Sequence, residues 1–232
     1  MGMIVEQDKE FLKEKFGEEL QEPVKILAFT ESAETTDLPG FECEFSEEVS
    51  ELIDELASLS DKISVEHHVY RSDDELVKKL GVDKLPALVL TSGESSGIRY
   101  FGVPGGYEFG SLIEDIVDLS RETTDLSQES KEVIRALDRD IHIQVFMTPM
   151  CPHCPSAVRI AHQMAIENPR HVVSDAVEVS EFPHLVSRYG IEFVPTIVIN
   201  DVVRFEGALP DELFAEQVTR ALSIQDVEEK TS

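Results

Sequence analysis

Tryptophan is absent from the 232 residues, cysteine occurs three times, and 20 lysines and arginines face 47 aspartates and glutamates. Each shortage excludes something. Three cysteines cannot build a disulfide framework, so the fold must rest on packed cores. A close cysteine pair in such a chain points to redox chemistry or metal binding rather than to a staple. A net charge of −27 with no basic cluster excludes nucleic acid and anionic membrane surfaces as partners, since both are gripped through lysine and arginine. No apolar run approaches the ~20 residues of a membrane-spanning helix. The opening stretch, MGMIVEQDKEFLKEKF, is too acidic for a secretory signal, and Glu6 stands where a myristoylation signal following Gly2 requires Ser or Thr. These features make the cytoplasm the expected location.

The acids run through most helical segments, as in EFSEEVSELIDEL at 44–56, rather than gathering in a tail. Ten lysines, ten arginines and no tryptophan complete a composition suited to high intracellular salt, where self-repulsion is screened. Hydrophobic residues make up 41%, enough for buried cores, and the length accommodates two compact domains.

The chain reads as a repeat. In the first half, residues 5–16 have helical periodicity, VKILAFT (24–30) is a short buried strand, and a helix covers about 45–60. ISVEHHVY (63–70) is a strand, DDELVKKLG (73–81) a short helix with a glycine C-cap, LPALVLT (85–91) a strand, and a final helix covers 107–118 after IRYFG. The second half repeats this order with LSQESKEVIRALDRD (126–140), IHIQVFMT (141–148), a helix to about 167, VVSDAVEVS (172–180), FPHLVSRYG (182–190), VPTIVIN (194–200), VVRFEG (202–207) and a last helix over 210–222. Leu85–Pro86 matches Val194–Pro195, and RYFG matches RFEG. The expected organisation is an α/β chain of two tandem units, 1–120 and 121–232, each a mixed central sheet flanked by helices. The polar join at 119–127 is short, so the halves should pack together.

The segment FMTPMCPHCP (146–155) places Cys151 and Cys154 directly after a buried strand and at the start of a helix. The two-residue spacing lets both sulfurs meet on the first turn. Free N–H groups and partial positive charge at the helix N-terminus favour a thiolate. Pro152 needs no N–H there. His153 can donate to the sulfur or, when protonated, favour its charge, so the pKa of Cys151 is expected below the free value of about 8.5. Cys151 would attack through a mixed disulfide and Cys154 would resolve it. A CxxC at a strand-to-helix junction is where the thioredoxin fold keeps its redox pair. Pro195, about 40 residues on and opening a strand, is expected in a cis peptide. That would leave the backbone of Val194 free to pair with an extended polypeptide.

The TPMCPHCP stretch, AVRIAHQMAIEN (157–168), RYFGVPGGYEFGSLIEDIVDLSRE (99–122) and the two X–Pro strand starts resemble the archaeal protein disulfide oxidoreductases, glutaredoxin-like proteins of two thioredoxin folds. The resemblance covers nearly the whole chain. It implies disulfide exchange with protein substrates, Cys151 as attacking and Cys154 as resolving cysteine, and Pro195 as the cis-proline. One departure stands out. Members often carry a second CxxC in the first half, and by the repeat those cysteines would fall at Glu34 and Asp37. The first unit is therefore expected to lack the redox cycle. A single pair in the second of two such folds also resembles the N-terminal region of the alkyl hydroperoxide reductase flavoprotein, an electron relay. No flavin or nicotinamide fingerprint is present, so the expected cofactor is none beyond the Cys151–Cys154 disulfide, and the electron donor must be another protein, thioredoxin-reductase-like or another thiol.

Other readings remain open at this point. A zinc site needs four ligands, and His67, His68, His142, His162, His171 and His184 do not fall at ligand spacing around the pair; no metal is expected. Cys43, between Glu42 and Glu44, is expected to be inert, its thiolate disfavoured by like charge. Glu178 is expected at the surface, and Val145 occupies the position of a thioredoxin-type buried acid. The pair could also switch a protein-binding module or holdase.

Overall fold

A computed structural model describes residues 3–31, 45–93 and 95–231. Glu34, Asp37 and Cys43 lie outside the described residues. In chain order the elements are α1 (Glu6–Glu19), β1 (Val24–Thr30), α2 (Ser46–Ala57), β2 (Ile63–Val69), α3 (Glu75–Leu80), β3 (Ala87–Ser92), β4 (Ser95–Phe101) and α4 (Glu108–Arg121). They are followed by α5 (Gln128–Arg135), β5 (Ile141–Met147), α6 (Cys154–Glu167), β6 (Val172–Glu178), α7 (Pro183–Tyr189), β7 (Thr196–Ile199), β8 (Val203–Glu206) and α8 (Asp211–Thr231).

Local chemistry sets the short elements. The Asp74 carboxylate accepts the Leu76 N–H to start α3, and Gly81 ends it in the left-handed region. Gly190 ends α7 in the same conformation. The central strands β1 and β5 are buried along almost their full length, which is why VKILAFT and IHIQVFM read as apolar runs rather than alternating ones.

The register demonstrates the duplication. β1 pairs parallel with β2 and antiparallel with β3; β5 pairs in the same way with β6 and β7. Phe29 faces Ala87, the residue after Pro86, and Phe146 faces Thr196, the residue after Pro195. β4 and β8 close the two units antiparallel to β3 and β7. β4 then pairs parallel with β6, giving one eight-stranded sheet in the order β2-β1-β3-β4-β6-β5-β7-β8.

This seam is held by ionic groups as well as backbone. Arg99 on β4 stands opposite Asp175 on β6, with Nε donating to Oδ1 at 2.6 Å. Arg99 Nη1 also reaches the carbonyls of Leu80 (2.8 Å) and Gly81 (2.9 Å). His142 Nε2 lies 2.7 Å from Asp175 Oδ2. Burial alone would raise the Asp175 pKa, but Arg99, His142 and Lys84 outweigh it and hold the carboxyl far below the usual range. In the helix layer, Arg159 of α6 bridges Asp115 and Asp118 of α4, and Tyr100 OH donates to Asp115 at 2.5 Å. One apolar cluster joins α1, α2, α4, α5, α6 and α8 to one face of the sheet; another joins α3 and α7 to the other face. Both run across the two halves, which therefore pack together as the short join leads one to expect.

Candidate redox site

β5 ends at Met147, and a tight turn follows in which Cys151 N–H donates to the Thr148 carbonyl at 3.1 Å. α6 starts at Cys154 with His153 at its N-cap. The two cysteines are joined in a disulfide with Cα atoms 5.5 Å apart. Cys154 N–H points at Cys151 Sγ from 3.1 Å, with the Cys151 carbonyl at 3.4 Å sharing it, so a donor of the first helical turn is aimed at the outer sulfur. Cys151 is 8% exposed and Cys154 0%, which leaves Cys151 as the sulfur an incoming group can reach. Pro152 and His153 form the exposed turn between them. The His153 side chain makes no capping hydrogen bond to α6.

Val194 closes the other side. Its carbonyl oxygen lies 3.7 Å from Cys151 Sγ, and its peptide to Pro195 is cis. Leu85–Pro86 is cis as well. The Pro195 carbonyl accepts Gly207 N–H at 2.8 Å, and the Pro86 carbonyl accepts Gly102 N–H at 3.0 Å, so the same bond ties both corners to the following strand. Val194 is half-buried, and among the described residues its N–H and C=O enter no backbone–backbone hydrogen bond.

Two acids differ from the sequence reading. Glu178, expected at the surface, is buried at the end of β6, where its carboxylate accepts Glu181 N–H at 2.8 Å. The reason is the seam: β6 is flanked by β4 and β5 and is not an edge. Glu108, not singled out by the sequence, is fully buried at the start of α4, and neither carboxylate oxygen has a hydrogen-bond partner among the described residues. Burial pushes its pKa up to about 7; the nearby Ser111 hydroxyl pulls the other way, and Asp115 adds a smaller push upward. The spacing Glu108, Leu112, Asp115, Leu119 already places it on the buried stripe of α4, and that is the signal that could have found it.

The turn before Glu108 leans on the redox loop. Tyr107 N–H donates to the Pro149 carbonyl at 3.0 Å. Gly106, at φ +58°, sits so close that a Cβ would lie 2.3 Å from that oxygen. The first half thus contributes to the surroundings of the second half's cysteines. Met150 (80% exposed), next to Cys151 in sequence, Phe193 (65%), next to Val194, and Tyr107, whose N–H holds Pro149, are exposed apolar side chains on the segments that adjoin the redox turn. Of the histidines elsewhere, His67 lies 2.8 Å from Asp54 Oδ1 and His68 stacks on Phe29, both structural roles. Among the described residues no group of three or more His, Cys, Asp or Glu side chains is placed to hold a metal, and no helix is long and apolar enough to cross a membrane.

The thioredoxin-domain profile matches residues 141–220. A thioredoxin of Methanocaldococcus jannaschii is 43% identical over 82 residues, which is 96% of that protein and 35% of this chain. The structure of a protein disulfide oxidoreductase from Aeropyrum pernix superimposes with a TM-score of 0.82 at 29% identity, covering 94% of this chain and 93% of that one. An alkyl hydroperoxide reductase subunit of Escherichia coli is 27% identical over 183 residues, 79% of this chain; the chain spans 31% of that relative's length.

Proposed function

Because the chain belongs to the thioredoxin family, we propose that it is a protein thiol–disulfide oxidoreductase working through Cys151 and Cys154, with no cofactor beyond that redox pair. The observation that carries this reading is the unequal burial of the two cysteines at a strand-to-helix turn, with a helix N–H aimed at the accessible one. In the reducing direction the Cys151 thiolate attacks a substrate disulfide. A Cys151–substrate disulfide forms, the substrate S–S bond breaks, and the departing thiolate takes up a proton. Cys154 then loses its proton and attacks Cys151 Sγ, closing the internal disulfide and releasing the second substrate thiol. A donor dithiol protein reduces the pair again. Val194 and Pro195 present the free backbone beside Cys151 to an extended segment of substrate, while Met150, Phe193 and Tyr107 receive its apolar side chains. Pro152 and His153 tune the pair. We divide the chain at 120/121, the first unit bracing and positioning and the second exchanging electrons, and place the protein in a salt-rich cytoplasm.

The test is trapping. Cys154→Ser should accumulate a mixed disulfide with substrate at Cys151, and Cys151→Ser should abolish exchange. Accumulation of the adduct on Cys154 in the reciprocal variant would reverse the assignment. Turnover separates an enzyme from a redox-switched binding module: with dithiothreitol supplied, an enzyme reduces many insulin disulfides per molecule, whereas a switch stops at one equivalent. A second reading, electron relay to a peroxidase, draws on the similarity to the alkyl hydroperoxide reductase across both halves. It requires that the reduced pair be oxidised by a peroxidase disulfide faster than by insulin.

A further inference from the structure

Among the described residues the sheet has two free edges, β2 and β8, and the duplication makes them copies of the two strands that meet at the internal seam. The strand registers fix the correspondence. Val89 faces Arg99 across β3–β4 as Val198 faces Arg204 across β7–β8, so Arg204 is the copy of Arg99. Leu27 faces Glu66 across β1–β2 as Gln144 faces Asp175 across β5–β6, so Glu66 is the copy of Asp175. Lys25 likewise copies His142.

The side chains repeat as well as the backbone. Arg99 Nη1 donates to the Leu80 carbonyl at the end of α3; Arg204 Nη1 donates to the Tyr189 carbonyl at the end of α7, both at 2.8 Å. His142 holds Asp175 from β5; Lys25 holds Glu66 from β1 at 2.5 Å. Each free edge therefore carries one half of the seam's ionic cluster. Inside the molecule the central pair is closed off, with Arg99 8% and Asp175 0% exposed; at the edges Arg204 is 39% and Glu66 47% exposed.

We propose that the β8 edge of one copy pairs in parallel with the β2 edge of a second copy, Arg204 meeting Glu66 as Arg99 meets Asp175, so that the sheet continues from molecule to molecule. Carrying over the seam register, Val203 would face Val65, Arg204 Glu66, Phe205 His67, and Glu206 His68. Arg204 already holds its α7 carbonyl and needs only to exchange its 2.9 Å contact with Glu206 for Glu66 of the second copy. Charged side chains on an edge strand ordinarily discourage pairing. These two edges discourage pairing of each with itself in parallel but are complementary to one another. The contact is heterologous, so assembly either closes into a ring or continues as a chain. A net charge of −27 on every copy opposes approach at low ionic strength, so the contact should form in molar salt, where long-range repulsion is screened while the close pair persists.

Sedimentation velocity of the full chain in molar KCl over a wide concentration range tests this. Concentration-dependent association is expected, weakened about tenfold or more in both Arg204→Glu and Glu66→Arg, because each sets like charges directly opposite across the strand pair. An equimolar mixture of the two variants sets the introduced carboxylate at position 204 against the introduced guanidinium at position 66 and should regain association, which neither variant does alone. Melting temperatures and small-disulfide reduction serve as checks on folding, and Glu66→Arg, at an exposed side chain, stands on its own if Arg204→Glu disturbs α7. A wild-type chain that stays monomeric throughout overturns the proposal. So does a mixture that regains nothing, or association lost in Arg204→Glu but intact in Glu66→Arg, which would mean β8 pairing with β8.

Discussion

A buried carboxyl with no hydrogen-bond partner among the described residues shapes stability in a pH range where surface acids do nothing. Glu108 carries a pKa raised to about 7, against about 4.3 for an unfolded glutamate. The folded state binds the proton more tightly than the unfolded one between these values. Stability from this group is therefore complete below the unfolded pKa and is lost as pH rises through about 7. The full difference is on the order of 3 kcal/mol, an upper figure because relaxation and water entry reduce it. Glu108→Gln keeps the shape without the charge. Urea unfolding should show the variant more stable than the parent at pH 8 and about equal near pH 4.5; a parent whose stability does not fall between these pH values would mean the carboxyl is not buried as described. At the redox turn, Cys151 in the reduced chain should alkylate at pH 6 much faster than Cys43, which sits between two acids. Equal rates would remove the case for a specially activated sulfur.

The β4–β6 seam is the element on which the rest depends, and its energetics are separable. Arg99→Met would leave Asp175 buried with only His142 and Lys84 beside it, and removing one partner of a buried pair costs about 3–5 kcal/mol. Replacing both, Arg99→Met with Asp175→Met, should return most of that loss, because no buried charge then remains uncompensated. Denaturant titration of the two variants checks this; a double variant as weak as the single one would mean the pair itself, not the stranded acid, carries the stability. The seam also explains what the sequence could and could not show. The cysteine turn, both X–Pro corners and the glycine-capped helices are written in contiguous residues, each with a local steric or electrostatic cause, and all are legible. The pairing of β4 with β6 joins residues 76 apart that share no local pattern. Glu178 becomes buried because of that pairing, and Tyr107 and Gly106 reach Pro149 of the redox loop only where the halves meet. The first half's contact with the redox loop is therefore invisible until the two repeats are assembled.

For the molecule as a whole, charge is the dominant unbalanced term. The 20 cations cannot neutralise 47 acids, and several are committed inward: Arg99 and Lys84 to Asp175, Arg159 to Asp115 and Asp118. Each of these cations is matched by an acid drawn inward with it, so the outer surface keeps a strong excess of negative charge. The helices add to this, since α1 and α2 carry acids in the first turn but no basic residue in the last, leaving the C-terminal ends of their dipoles uncompensated. Such a surface repels itself over distances set by the Debye length, about 30 Å at 0.01 M salt and about 3 Å at 1 M. Unfolding spreads the charges apart, so removing salt should favour the unfolded chain. The melting temperature of the oxidised protein should rise steeply as KCl is raised from millimolar toward about 1 M, then flatten as screening saturates. A rise that instead begins only beyond molar salt would point to general salting-out of apolar surface rather than to relief of repulsion. A melting temperature that is flat or falling over the whole range would show that −27 charges are carried without strain, and the adaptation to high salt inferred from composition would have to be abandoned.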